Sequence, residues 1–293
     1  MSPRFEKLAI LGFGLLGGSV ALAARERGIA GQIAGASRSR EPLEAALASG
    51  KLDQIGSIGE AVTGADLVVL AAPVSAMPAI LGEAAPRLAA GVLVTDLGSV
   101  KSEPCRTLPG LLPEAAAFVG AHPMAGGHEL GARHARADLF EGRCCVVTPL
   151  PETAGEAVAA VSAFWASLGC RVVQRSPEQH DVEVAWISHL PHVLAFAYSH
   201  ALAEAPPGAR ELVGSGFQDF TRIARSDAEL WAGILEANQA SLAVPIERFS
   251  EALGELAKAI SNSERGHQER FLARARAIID GTEPRGSGEN AGA

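Results

Sequence analysis

The stretch LAILGFGLLGGSVALAARERG, residues 8–28, joins an apolar, strand-like run to a helix-like segment through three spaced glycines. Gly12 permits a tight turn after the strand, Gly14 lets a pyrophosphate approach the backbone, and Gly17 lets the helix pack closely on the strand. The free N–H groups at the helix N-terminus favour bound phosphate. This pattern predicts a dinucleotide site formed by Gly12, Phe13, Gly14, Leu15, Leu16 and Gly17.

Further strand-like runs extend this unit into a sheet. They lie at 32–36, 67–72, 92–96, 117–120, 144–148 and 171–174, and helix-like segments separate most of them. Ala72 and Pro73, which end the run ADLVVLAAP, are included in the predicted cofactor site. This alternation predicts an α/β domain of the Rossmann type, with a doubly wound, mostly parallel sheet.

The character of the chain changes after the segment SPEQHD, residues 176–181. From about residue 180 to 279 only helical periodicity recurs, broken by the loop-like stretch at 205–219. We therefore expect a nucleotide-binding domain over 1–176 and an all-helical domain over 177–280. The remaining residues, 281–293, lack large apolar side chains and are predicted to be disordered.

The end of the second strand, GASRSR at 35–40, bears on the choice of cofactor. An enzyme that uses NAD usually carries an acidic residue there to bind the ribose hydroxyls. Here Ser37 and Arg38 occupy the position, and a hydroxyl with a guanidinium suits a 2′-phosphate. The pair favours NADP, while an Arg38 that only stacks on the adenine would also allow NAD.

The composition excludes several classes of protein. The chain has 33 acidic and 25 basic residues, a net charge of −8, and no basic block, which argues against a nucleic-acid partner. Its four cysteines have neither C-x-x-C nor metal-ligand spacing, which favours a reducing, cytoplasmic location and predicts no metal. The apolar run at 8–24 superficially resembles a signal peptide, but its glycine spacing favours the dinucleotide turn, and no other run is long enough to span a bilayer.

Two histidine-containing segments are candidates for chemistry. In FVGAHPMAGG, residues 118–127, a short strand is predicted to run into a loop that holds the imidazole of His122 among small residues. In SHLPH, residues 188–192, two histidines lie three apart on a helix that Pro191 should bend. No carboxylate or cysteine at ligand spacing accompanies them, so a metal site is not expected. Arg222 could form a surface salt bridge or bind a substrate carboxylate.

Seven motifs together resemble the prephenate/arogenate (cyclohexadienyl) dehydrogenase family of tyrosine biosynthesis. The combination of HPMAG, SHLPH and FTRIA is far more specific than the glycine turn, and the resemblance covers about residues 6–250. In chain order the motifs are GFGLLGGSVA, DLGSVKSEP, GAHPMAGGHELG, LFEGRCCVVTP, SPEQHD, SHLPH and GFQDFTRIARSDAELW, which ends at Trp231.

The resemblance implies oxidative decarboxylation of prephenate to 4-hydroxyphenylpyruvate, or of arogenate to tyrosine, with hydride transfer to NAD(P)⁺. By position in the motifs, His122 matches the catalytic histidine that accepts the proton of the ring hydroxyl, and Ser99 matches the serine that orients it. Arg222 matches the arginine that binds a substrate carboxylate, and His192 and Trp231 match further substrate-site positions. The family also implies a homodimer formed through the helical domain.

One position departs from the family pattern. Many relatives carry an acidic residue six positions after the catalytic histidine, where this chain has His128, followed by Glu129. A histidine can donate to a keto oxygen but cannot pair with an ammonium group, so His128 favours prephenate over arogenate.

Two other functions remain open from the residues. A β-hydroxyacid dehydrogenase would share the fold but usually needs a catalytic lysine, which SHLPH does not offer. A non-catalytic NAD(P)-binding sensor would not need His122, Ser99 and Arg222 together.

Overall fold

The computed structural model describes residues 5–126, 129 and 131–281. Within these ranges the chain forms one eight-stranded sheet. Its strands are β1 Phe5–Leu11, β2 Ala30–Ala36, β3 Gln54–Ile55, β4 Leu67–Leu70, β5 Leu93–Asp96, β6 Ala117–Pro123, β7 Cys144–Thr148 and β8 Arg171–Gln174. Across the sheet they lie in the order β3-β2-β1-β4-β5-β6-β7-β8.

The strand order shows the predicted doubly wound fold. Six strands from β3 to β6 pair in parallel, β6 and β7 pair antiparallel, and β7 and β8 are parallel again. The order 3-2-1-4-5-6 is that of a dinucleotide-binding sheet, in which ligands bind beyond the carboxyl ends of the strands. The Rossmann-type fold predicted from the glycine turn is confirmed.

The sheet is buried on both faces, which explains the unbroken apolar runs of its central strands. Every residue of β4 is buried. Along β1, Leu8 and Ile10 contribute to one apolar cluster, and Ala9 and Leu11 contribute to another. Because successive strand residues point to opposite faces, these clusters are the two layers of core that hold the sheet between helices.

The helices follow the predicted alternation up to β8 and then continue without strands. They are α1 Leu15–Glu26, α2 Arg40–Ala48, α3 Ile58–Val62, α4 Met77–Ala84, α5 Ser102–Thr107, α6 Gly155–Ser167, α7 Pro177–Val184, α8 Leu190–Ala201, α9 Ser215–Thr221, α10 Ala228–Ala237, α11 Gln239–Ser261 and α12 Arg265–Ile279.

Three local predictions need correction. The strand β3 was not predicted from the sequence, because a strand of two residues is too short to show a hydrophobic periodicity. The stretch predicted as a loop at 205–219 contains a 3₁₀ turn, Ala209–Leu212, and the start of α9. His122 was expected in a loop but lies in β6, because Val146 of β7 pairs with it across the antiparallel ladder.

The helix that was expected to bend at Pro191 contains a π-helical turn just before this proline. The turn, Ala185–His189, separates α7 from α8, and Pro191 lies in the first turn of α8. π-Helical turns are frequent at functional sites.

The chain divides into two compact units, Met1–Leu242 and Ala243–Ala293. The first contains the sheet together with α7 to α10, and the predicted domain boundary at residue 176 stays a prediction. In the second, the His267 side chain of α12 contacts Glu255 of α11 at 2.8 Å and the preceding Glu264 at 3.4 Å.

Within the described ranges, no helix is both long and apolar enough to cross a membrane. The predicted disordered tail lies outside the described residues, apart from Gly281.

Candidate active site

The glycine turn between β1 and α1 has the geometry of a phosphate site. Gly12 has a φ of +104°, and a Cβ on it would lie 2.2 Å from the carbonyl oxygen of Ala71. A Cβ on Gly17 would lie 2.2 Å from the carbonyl oxygen of Gly12, whereas a Cβ on Gly14 would meet no atom within 4 Å. The first and last glycines are therefore required by the packing of the protein itself. Gly14 borders open space.

The N-terminus of α1 leaves its backbone donors free for an anion. Its N-cap residue is Gly14, which has no side chain to cap the helix, and its first turn contains no acidic residue. Around it, Phe13 is buried and Leu15 and Leu16 are half-buried. These features fit the pyrophosphate of a dinucleotide.

The carboxyl end of β2 carries the residues predicted to select the cofactor. Ser37 is half-buried and Arg38 is exposed, directly after the strand. Ser39 is the N-cap of α2, but its hydroxyl does not cap the helix. Arg40 pairs with Glu44 at 2.7 Å along α2. Of the two arginines at this strand end, Arg40 is therefore engaged in an ion pair, whereas Arg38 forms none with the described residues.

His122, on β6, begins a buried relay of three side chains. Its Nδ1 lies 2.8 Å from Nε2 of His180, and Nδ1 of His180 lies 2.7 Å from Oδ1 of Asp181. Both partners lie on α7, whose start is fixed by a capping box between Ser176 and Gln179. The relay thus joins the end of a sheet strand to the first helix of the helical segment.

The hydrogen bonds of Asp181 determine the tautomers in this relay. Its carboxylate accepts the backbone N–H of Lys101 at 2.7 Å and that of Ser102 at 2.8 Å, so it acts only as an acceptor. His180 must then donate from Nδ1, which leaves its Nε2 as an acceptor for the Nδ1–H of His122. Nε2 of His122 therefore carries a free lone pair, as a general base requires.

Burial keeps these histidines neutral. Burial, and then the neighbouring His180 and Lys101, lower the pKa of His122 well below 6.5. Burial is also the main cause that lowers the pKa of His180. Burial would raise the pKa of Asp181, but hydrogen bonds from His180, Ser102 and Lys101 lower it overall. The site therefore combines an ionised carboxylate with neutral imidazoles at neutral pH.

A buried ion pair holds the backbone beside His122. Asp96 ends β5, and its carboxylate contacts the ammonium group of Lys101, both side chains being fully buried. The Ala121 N–H donates to Asp96 at 3.0 Å, and Lys101 Nζ donates to the Ala121 carbonyl at 2.9 Å. Both backbone groups of the residue before His122 are thus satisfied, which restrains the position of the imidazole.

Aromatic residues surround His192, separately from the relay. The imidazole of His192 stacks on Trp231 of α10, with ring centroids 3.7 Å apart and an angle of 20° between the ring planes. Its Nδ1 lies 2.9 Å from the carbonyl oxygen of Ser188. Arg222 is close enough for its charge to lower the pKa of His192, an effect smaller than that of burial. The structure thus brings His192 and Trp231 into contact, and the charge of Arg222 acts on the pKa of the same imidazole.

The two groups are connected through Asn238. Its Nδ2 donates to the carbonyl oxygen of Asp181 at 2.9 Å and to Nδ1 of His189 at 3.0 Å. His189 in turn lies edge-on to Trp231, with ring centroids 5.9 Å apart. Val100, which follows Ser99, packs in one apolar cluster with Trp231.

The other predicted positions, and Arg222 itself, differ in their exposure to solvent. Ser99 is half-buried, and among the described residues its hydroxyl makes no hydrogen bond, to His122 or to any other group. Arg222 is exposed. Ala72 is half-buried and Pro73 exposed, directly after β4. His128 lies outside the described residues.

Sequence reasoning assigned no role to His180, Asp181, Asp96 or Lys101. The signal was present in SPEQHD, where adjacent His180 and Asp181 follow a Ser-Pro helix start, and in DLGSVKS, where opposite charges flank a strand end. Neither motif indicates its partners, because the hydrogen bonds of Asp181 reach back about eighty residues along the chain.

Comparisons with known proteins agree with this architecture. Residues 20–174 match the family model "Prephenate dehydrogenase, nucleotide-binding domain", and residues 176–274 match "Prephenate dehydrogenase, dimerization domain". The chain is 33% identical to the prephenate dehydrogenase of Bacillus subtilis over 88% of this chain and 70% of that protein.

Two solved structures are also similar. Prephenate dehydrogenase from A. aeolicus, in complex with hydroxyphenyl propionate and NAD⁺, is 30% identical, with a TM-score of 0.87, over 95% of this chain and 98% of that one. Synechocystis arogenate dehydrogenase is 29% identical, with a TM-score of 0.79, over 94% of this chain and 100% of that one.

Proposed function

The chain belongs to the prephenate dehydrogenase family, and we propose on this premise that it converts prephenate to 4-hydroxyphenylpyruvate and CO₂ in tyrosine biosynthesis, with NAD(P)⁺ as oxidant. The observation that carries the proposal is the relay from Asp181 through His180 to His122. It leaves one neutral imidazole nitrogen free beside the sheet edge where a dinucleotide binds.

The residues of the glycine turn would hold the cofactor. Gly14 and the N-terminus of α1 suit its pyrophosphate, and the residues after β2 and β4 line the same sheet edge. When bound, the nicotinamide supplies the chemistry of accepting a hydride from the substrate ring.

His122 would move the proton in this reaction. As the ring carbon that bears the hydroxyl is oxidised, Nε2 of His122 accepts the hydroxyl proton and a carbonyl forms. Loss of the ring carboxylate as CO₂ then returns its bonding electrons to the ring, which becomes aromatic. The oxygen thereby becomes a phenolate, and His122 returns the proton to it. The proton balance therefore needs no second acid.

His180 and Asp181 would support His122 while it carries that proton. The imidazolium of His122 donates from Nδ1 to His180, whose own Nδ1–H is held by the ionised Asp181. A hydrogen bond from a charged donor is stronger than a neutral one. The relay therefore stabilises the charged state of His122 and keeps its ring oriented.

The helical segment would bind the substrate. We propose that Arg222 pairs with a substrate carboxylate, and that His192 and Trp231 contact the neighbouring part of the molecule. Ser99 would orient the substrate and His122, as its position in the family motif implies. The stacking of His192 on Trp231, together with the effect of the Arg222 charge on the pKa of His192, supports a common substrate-binding role.

Cofactor and substrate preference are proposed from single positions. Arg38 has no ion-pair partner within the described part of the chain, and with Ser37 it predicts that NADP⁺ is used at least as efficiently as NAD⁺. His128, in place of an acidic residue, favours prephenate over arogenate.

We further propose a homodimer in a reducing, cytoplasmic setting. Helices α11 and α12 carry exposed apolar side chains, which a partner chain could cover: Val244, Ile246, Leu253, Ile260, Leu272, Ile278 and Ile279. The matching family model is described as a dimerization domain. The spacing of the four cysteines favours such a compartment. Light scattering should give the mass of two chains.

The test of function crosses prephenate and arogenate with NAD⁺ and NADP⁺ and follows the absorbance of the reduced nicotinamide. We expect turnover that requires both substrate and cofactor, with prephenate preferred. A β-hydroxyacid as the better substrate, or no reduced cofactor with either cyclohexadiene, would overturn the proposal.

A further inference from the structure

The side-chain amide of Asn238 has only one orientation that its neighbours allow. Asn238 is buried at the end of α10, and its Nδ2 lies 2.9 Å from the carbonyl oxygen of Asp181. A carbonyl oxygen only accepts, so the atom that faces it must be the NH₂ group of the amide. The same Nδ2 lies 3.0 Å from Nδ1 of His189. Its two hydrogens are therefore directed at these two acceptors.

This amide determines the tautomer of His189. Because Nδ1 of His189 accepts from Asn238, the ring proton of His189 must be on Nε2. Burial is the main cause that lowers the pKa of His189 to about 4, so the ring is neutral at neutral pH. The side chain of His189 therefore presents one N–H donor and no positive charge.

The Nε2–H group of His189 is a buried donor without an acceptor. The residue is only 1% exposed, and its Nε2 has no hydrogen-bond partner within the described ranges. Native proteins rarely keep a buried donor unpaired, since burial removes the water that would otherwise bind it. The ring of His189 lies edge-on to Trp231, which stacks on His192. The donor thus belongs to the group of rings proposed to bind the substrate, and an acceptor on the substrate would satisfy it.

The proposed substrates carry an acceptor that suits such a donor. Prephenate and arogenate both have a carboxylate on the ring carbon opposite the hydroxyl that His122 would deprotonate. This carboxylate leaves as CO₂, and its bonding electrons return to the ring. A cation that held its negative charge in place would stabilise the substrate more than the transition state and so slow the reaction. A neutral donor orients the carboxylate with less of this effect.

Resting on the proposed function, we propose that the Nε2–H group of His189 hydrogen-bonds the ring carboxylate of the substrate, and that Asn238 is the positioning residue that keeps the proton on this nitrogen. Asn238 also donates to the backbone of Asp181, whose side chain holds His180 in the relay. One amide therefore connects the residues that move the hydroxyl proton with the residue that binds the departing carboxylate.

A comparison of prephenate with 4-hydroxyphenylpyruvate tests the proposal, because the product lacks the ring carboxylate. Calorimetry in the presence of the reduced cofactor measures the binding of both without turnover, since a reduced nicotinamide cannot accept a hydride. His189→Met removes the donor and should weaken the binding of prephenate by about 10- to 150-fold, the contribution of one hydrogen bond to a charged group. The binding of 4-hydroxyphenylpyruvate should change little.

Two further variants separate the hydrogen bond from packing. His189→Gln introduces a side chain about as large as that of His189→Met, but its amide offers an N–H donor, so it should restore much of the affinity for prephenate. Asn238→Leu removes the donor to Nδ1 and lets the ring proton of His189 move to that nitrogen. This variant should therefore also weaken the binding of prephenate more than that of 4-hydroxyphenylpyruvate.

The outcomes distinguish this proposal from the proposed function. Equal losses for both ligands in His189→Met, or equal affinities of His189→Met and His189→Gln for prephenate, would overturn the role of His189 and leave a ring that only packs against Trp231. Equal losses for both ligands in Asn238→Leu would overturn the positioning role of Asn238. In each case a wild-type enzyme that oxidises prephenate keeps the proposed function. A wild-type enzyme that neither binds nor oxidises prephenate would overturn the proposed function and this inference together.

Discussion

Replacing His180 with Phe tests whether the relay acts on catalysis through His122. The substitution keeps a planar ring of similar size in a buried position but removes the acceptor 2.8 Å from Nδ1 of His122. Asp181 keeps the backbone N–H groups of Lys101 and Ser102, so its carboxylate does not become an unpaired buried charge. The change should therefore be tolerated by the fold.

The expected loss follows from one charge-assisted hydrogen bond. When His122 accepts the substrate proton, its imidazolium donates from Nδ1 to His180. A hydrogen bond to a charged group contributes about 1.5–3 kcal/mol. Its loss in the transition state corresponds to a fall in kcat of about 10- to 150-fold. Binding of the cofactor should be unchanged, because the glycine turn is formed by other residues.

The assay is kcat at saturating prephenate, with thermal unfolding as a control for folding. His122→Asn should lower kcat by about 10²- to 10⁴-fold, the usual contribution of a general base. Because His180 acts through His122, the double variant should be no slower than His122→Asn alone. The relay is refuted if His180→Phe retains wild-type kcat, or if it still slows the His122→Asn enzyme by its full factor.

Three further substitutions test the binding residues, each by steady-state kinetics. Arg222→Ala leaves a substrate carboxylate unpaired, so KM for prephenate should rise strongly and kcat should fall less; an unchanged KM would make Arg222 a surface residue. Ser37→Asp should repel a 2′-phosphate and shift preference from NADP⁺ toward NAD⁺; a wild-type preference for NAD⁺ of about tenfold or more in kcat/KM would contradict the role of Arg38. His128→Glu should raise activity on arogenate relative to prephenate; a wild-type enzyme that already prefers arogenate would point to Glu129 instead.

Much of the fold could be predicted because its signals are local. The apolar run into Gly12 and the helix-like segment behind it identified a dinucleotide-binding unit, and the structure has that unit in the parallel part of the sheet, with Gly17 inside α1. Seven of the strands lie where apolar runs predicted them, although the run at 117–120 stopped short of His122. Strand β6 continues to Pro123 because β7 pairs with it there. The sequence of β6 alone does not reveal this pairing, since the partner strand lies elsewhere in the chain.

The family motifs identified His122, Arg222, His192 and Trp231 as candidates, and their roles stay proposals. The sequence did not identify what orients them. The Nδ1–H of His122 is directed by His180, 58 residues away, and His180 is directed in turn by the adjacent Asp181.

The sequence by itself therefore determined the fold class, the phosphate turn and which side chains are chemically suited to the reaction. Only the tertiary structure decided which nitrogen of each histidine carries its proton. Periodicity and turn chemistry depend on residues a few positions apart, and these are visible in the sequence. A tautomer depends on whichever donor or acceptor packs against the ring. For His122 that neighbour is Nε2 of His180 on α7, and for His189 it is the side-chain amide of Asn238, 49 residues away. For His192 it is the carbonyl oxygen of Ser188 in the π-helical turn.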